Sequence, residues 1–92
     1  MITIIEKNTV AYLDYKWDWN QWLASDEIIT SSSVLAPAGL TVELSSITDE
    51  GKSVTAWLSG GTFGTEYEVV CTIETDKGRT DKRSINIYMT NR

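Results

Sequence analysis

At 92 residues the chain is too short for two independent cores, so a single domain over 1–92 is expected. Hydrophobic residues form 41% of it, with four Trp and four Tyr, which supplies a core and argues against disorder. Thirteen acidic against eight basic residues leave a net charge of −5, a balance that disfavours nucleic acid because phosphate binding needs a cationic field.

The first segment, 2–6, reads as a short strand. The next, 10–19, carries the sharpest signal: in Leu13-Asp14-Tyr15-Lys16-Trp17-Asp18-Trp19 every odd position is apolar and every even one charged. That is the pattern of a strand with one buried face. Beyond it the spacing changes, with Trp19, Trp22 and Leu23 at i, i+3 and i+4, and Asp18 with Gln21 set as a capping box. One short helical turn is expected near 19–25.

A strand at 28–36, bent within its Ser and Thr run, leads to a turn at Pro37-Ala38-Gly39. In the strand 40–47, Leu40, Val42 and Leu44 share one face. Asp49-Glu50-Gly51-Lys52 closes a hairpin onto 53–59, where Val54, Ala56 and Leu58 point one way and Trp57 the other. Trp57 is thus either an interface anchor or a lid over a core edge. After the glycine-rich crossover 59–65, the strand 66–75 turns Tyr67, Val69, Cys71 and Ile73 inward, and Asp76-Lys77-Gly78 returns the chain along 79–89. There Ile85, Ile87 and Met89 face in, while Lys82, Ser84, Asn86 and Tyr88 face out.

About seven strands at regular spacing predict an all-β, immunoglobulin-like sandwich of antiparallel strands. Tyr67, at the start of the penultimate strand, sits where such domains place a tyrosine corner. Tyr15, Trp17, Trp19 and Trp22 are expected in the core with Tyr67 and Cys71.

The chemistry open to the chain is narrow. It contains no histidine, which removes Ser-His-Asp and Cys-His catalysis and His metal ligation. Cys71 stands alone, so neither an intrachain disulfide nor a multi-cysteine zinc site can form, and it reads as a small buried hydrophobe. Asp14 and Asp18 share a strand face but lie roughly 13 Å apart, beyond the separation of about 5 to 9.5 Å that paired glycosidase carboxylates need. No P-loop or EF-hand spacing occurs. No enzyme, cofactor or metal is therefore expected. No apolar run is long enough to span a membrane, and the start has neither a basic n-region nor a cleavage site, so a soluble product of the cytoplasm is expected.

Charge is unevenly spread. Residues 76–92 hold five of the eight basic side chains, Lys77, Arg79, Lys82, Arg83 and Arg92, against Asp76 and Asp81 alone. This segment steers one copy's tail onto another's body or onto an acidic neighbouring protein, or is simply a solvated hairpin.

Three stretches resemble a family of small bacteriophage proteins, the fiber-tail adaptors. They are Leu13-Asp14-Tyr15-Lys16-Trp17-Asp18-Trp19-Asn20-Gln21-Trp22-Leu23, then the span from Val54-Thr55-Ala56-Trp57-Leu58 through Ser59-Gly60-Gly61-Thr62-Phe63-Gly64-Thr65-Glu66-Tyr67, and Thr75-Asp76-Lys77-Gly78-Arg79-Thr80-Asp81-Lys82-Arg83-Ser84. The resemblance implies an immunoglobulin-like virion protein without catalytic residues. Such a protein would be made in the host bacterial cytoplasm and be present in many copies. It would join portal, neck, tail or fiber proteins. Trp57, Arg79, Lys82, Arg83 and Tyr88 are the expected contact residues. A capsid decoration protein and a glycan-binding module remain the alternatives.

Overall fold

A computed structural model describes residues 4–8 and 12–90, so residues 2–3 and 10–11 of the expected first two strands lie outside it. Seven strands follow in chain order: β1 (Ile4–Asn8), β2 (Leu13–Asp18), β3 (Ile29–Leu35), β4 (Leu40–Thr48), β5 (Ser53–Gly60), β6 (Glu66–Thr75) and β7 (Thr80–Thr90). They form two sheets, one ordered β1-β7-β6-β3 and the other β2-β5-β4. Hairpins join β4 to β5 and β6 to β7, and the other connections cross between sheets. This is the immunoglobulin-like arrangement of an all-β sandwich.

Its interior is built from the alternation read in the sequence. Trp17, Leu40, Val54, Ala56 and Leu58 of one sheet meet Tyr67, Val69, Cys71, Ile73, Ile85, Ile87 and Met89 of the other. Each fully buried Ile, Leu or Met among them is worth roughly 1.5–3 kcal/mol against leaving it in water.

One pairing departs from the antiparallel expectation: β1 runs parallel to β7, with Ile4 opposite Asn86 and Asn8 opposite Thr90. No hairpin links these two strands, so nothing in the connection imposes an antiparallel sense.

The helical corner is a single turn. The N–H groups of Trp22 and Leu23 both donate to the Trp19 carbonyl, at 2.9 and 3.0 Å. Asp18 caps it by accepting from the Asn20 N–H at 2.8 Å. A 3₁₀ turn at Asp49–Gly51, which the sequence signals only as a hairpin loop, carries Asp49, Glu50 and Gly51 at positive φ.

Tyr67 forms a tyrosine corner. It is buried, and its hydroxyl oxygen accepts the Thr62 N–H at 3.0 Å, which fixes the crossover from β5 to β6. The ring lies against Gly39, whose φ of +103° and proximity leave little room for a side chain: a Cβ there would sit 3.0 Å from the Tyr67 oxygen.

Candidate partner interface

β4 does not keep one alternation along its length. Val42 stands opposite Leu58, but the register then shifts and Leu44 stands opposite Trp57. Glu43 is the extra residue of a β-bulge, so the inward parity changes from even to odd: Leu40 and Val42 point in, Leu44 points out, and Ile47 points in again opposite Val54. The expectation that Leu44 shares the face of Leu40 and Val42 is corrected here. A one-residue offset moves every later side chain to the other face. The signal was present, since the strand mixes an even apolar frame at 40–44 with an odd one at 47.

The consequence is an apolar ridge on the outer face of the three-stranded sheet. Leu44 is 57% exposed and Trp57 half-buried, with Asp14 flanking Trp57 on its other side. Tyr12, one residue before β2, is also exposed. The Glu43 carboxylate accepts the Ser59 hydroxyl, which ties the bulge to β5. An exposed aromatic–aliphatic pair at the middle of a sheet is the kind of anchor that interfaces use.

The basic hairpin is organised differently from a free cationic patch. Arg79, Asp81 and Arg83 share the parity of Ile85 and Ile87, so they reach toward the space between the sheets. Arg79 donates from Nε to Glu27 Oε2 at 2.9 Å and from Nη2 to Glu27 Oε1 at 2.6 Å, and its guanidinium lies 3.9 Å over the Trp22 ring. Glu27, only 1% exposed, also accepts the Ala24 N–H at 3.0 Å and the Thr75 hydroxyl at 2.6 Å. Arg79, followed by these two donors, holds the Glu27 carboxyl down at about 2.

Arg83 repeats the device one layer further along. Its guanidinium is 4.8 Å from the Trp19 ring, and Nη1 donates to the Asp18 carbonyl at 2.8 Å. Asp81 accepts the Trp19 indole N–H at 2.8 Å and pairs with Arg83 at 3.6 Å. Two Arg–Trp stacks thus close this end of the sandwich. Arg79 and Arg83, expected as contact residues, are each engaged within the chain while their side chains stay 45% and 39% exposed. No local pattern in the sequence pairs Glu27 with Arg79. Glu27 does close the 24–27 turn, but its main partner lies 52 residues away.

Lys82 and Tyr88 point outward, Lys82 exposed and without an acidic partner among the described residues, Tyr88 opposite Glu66. Of the residues expected in the core, Trp17, Trp19, Tyr67 and Cys71 are buried, whereas Tyr15 and Trp22 are only partly buried and pack against its margin. Tyr15 meets Trp17 edge to face, with ring centroids 4.9 Å apart. Burial pushes the Cys71 thiol up to about 12, far from the thiolate range of a nucleophile.

Between the edge of β2 and the first half of β7 the sandwich opens into a cleft of about 540 Å³, lined by Tyr15, Lys16, Trp17, Asp18, Lys82, Arg83, Ser84 and Ile85. Among the described residues no three Cys, Asp or Glu side chains gather as a metal site, and no helix is long and apolar enough to cross a membrane.

The family described as podophage GP4 fiber-tail adaptor protein gp77 matches residues 7–88 of this chain. The chain belongs to this fiber-tail adaptor family. No curated protein matches it. The match includes the bulged β4, the Trp57 strand and the Arg–Trp closure, so both the exposed ridge and the internal clasp lie within the adaptor unit. Membership makes the protein a bacteriophage structural adaptor, which accords with a surface that offers side chains for docking.

Proposed function

We propose that this adaptor domain works without catalysis in the neck or tail of the virion, where multiple copies each join a fiber to the tail. The Leu44–Trp57 ridge is the anchor of one of the two contacts. The observation that carries this reading is the bulge at Glu43, which turns a leucine out of the core and sets it beside the one tryptophan that alternation already points outward. An apolar pair held outward by a bulge lies outside the core of the domain. It gains its stabilisation when a partner covers it. Lys82 and Tyr88, on the other sheet, supply a chemically distinct second face, as an adaptor between two components requires. Modest contacts suffice because neighbouring copies raise the effective concentration of each next contact.

Co-sedimentation of the purified domain with purified tail, fiber and capsid of the same phage tests this. Binding to tail and fiber is expected, and Leu44→Asp should abolish one of the two. Binding to capsid alone would instead support a decoration protein, and a shift of tryptophan fluorescence with host polysaccharide alone would support a glycan-binding module.

A further inference from the structure

Strand edges are adhesive because alternate N–H and C=O groups point outward without partners, and proteins blunt them with bulges and polar runs. Two edges here are blunted in that way. β3 shifts register between Ile29 and Ser31 and then runs through Ser31, Ser32 and Ser33, and β4 carries the Glu43 bulge. The edge of β2 is different: all six residues pair with β5 in unbroken register, and among the described residues no strand pairs with its other side, a regular template.

The first half of β7 faces the same space. Among the described residues β1 pairs with β7 from Asn86 to Thr90. The β2 edge and the first half of β7 border the 540 Å³ cleft, which continues past Asp18 and Arg83 into a second hollow of about 350 Å³ bounded by Gln21 and Trp22. An added strand of five residues would be roughly 17 Å long, the reach of β2 itself.

The cleft also carries specific chemistry. Trp17 lines it, is 3% exposed, and its indole N–H has no acceptor among the described residues. Lys16 pairs with Asp49 at 2.9 Å and Arg83 is held by Asp18 and Asp81, but Lys82 stands free at the rim. A cation without a partner among the described residues selects an acidic side chain locally. A second copy pairing edge to edge would bring its own Asp14 and Asp18 as well as Lys16 and Lys82 to the seam, so dimerisation of the free chain in sedimentation would overturn a partner segment as the occupant.

We propose that the unbroken edge of β2 receives an extended segment of a partner virion protein as an added antiparallel strand, with an acidic side chain of that segment meeting Lys82. This is recognition by strand addition, in which main-chain hydrogen bonds give affinity and side-chain contacts give specificity. It rests on the adaptor reading above and names the mode of the second contact.

Hydrogen exchange and NMR of the full chain, mixed separately with purified fiber protein and purified tail of the same phage, test it. In one complex the outward amides of Leu13–Trp17 should slow. Lys82→Glu, at an exposed site that leaves folding intact, should weaken that complex about fivefold at low salt. A complex whose slowed amides lie only around Leu44 and Trp57 would overturn strand addition while leaving the adaptor reading in place. Undiminished binding by Lys82→Glu would overturn the acidic segment. Failure to bind either component would overturn the adaptor reading and this proposal together.

Discussion

Leu44 and Trp57 stand directly opposite each other on the outer face of the three-stranded sheet, although plain alternation along β4 assigns the leucine to the core. Because this pair packs outside the core, its removal should separate binding from folding. Leu44→Asp should change stability by no more than about 0.5 kcal/mol. Trp57→Ala should weaken the complex with the tail or fiber by about 2 kcal/mol, or roughly thirtyfold. Urea denaturation and titration calorimetry on the same variants check the two halves of this expectation.

Tyr67 holds the crossover between the sheets through one hydrogen bond and a close ring contact. Tyr67→Phe keeps the ring but leaves the Thr62 N–H without its acceptor, and should cost about 1–2 kcal/mol in urea denaturation. Gly39→Ala should destabilise by a similar amount, about 1–3 kcal/mol, since alanine at a φ of +103° is strained and its methyl presses on the same hydroxyl. The two changes share a contact, so their effects should not add.

The Glu27 carboxylate gives the fold an acid-sensitive clasp. Its folded pKa, about 2, lies below the ordinary 4.5, so its contribution is complete above that ordinary value and is lost as the pH falls toward 2. Urea midpoints measured from pH 6 to pH 2 should therefore decline through this window, and Glu27→Gln should flatten the decline. Arg79→Ala should destabilise far more at pH 7, where it leaves a buried carboxylate unpaired, than at pH 2.

Cys71 should be silent toward thiol reagents in the folded domain. Burial raises its pKa from 9.0 to about 12, so the reactive thiolate is scarce at pH 8 and the sulfur is also inaccessible. Labelling should proceed only at the rate of unfolding, and become rapid in denaturant. The sign for stability is the reverse of that for Glu27: the unfolded thiol ionises first, so this contribution is full below pH 9 and declines as the pH rises toward 12.

Much of the architecture is legible in local pattern. The odd-even frame of 13–19, the turn at Pro37-Ala38-Gly39 and the inward set Tyr67, Val69, Cys71 and Ile73 each depend on residues a few positions apart, and each is found where that pattern places it. The candidate site is legible only in part. Outward placement of Trp57 and Lys82 follows from alternation, but Leu44 is hidden by the bulge. Arg79 and Arg83 look like free surface charge until Trp22 and Trp19 are brought beneath them.

Local pattern sets where strands form and which way most side chains face, because the period of two is a property of the extended backbone at each site. Long-range packing sets which edges meet, that β1 lies parallel to β7, and that Asp81 answers Trp19 from 62 residues away. Those choices depend on partners remote along the chain, and a periodic pattern carries no information about which remote segment will complete it.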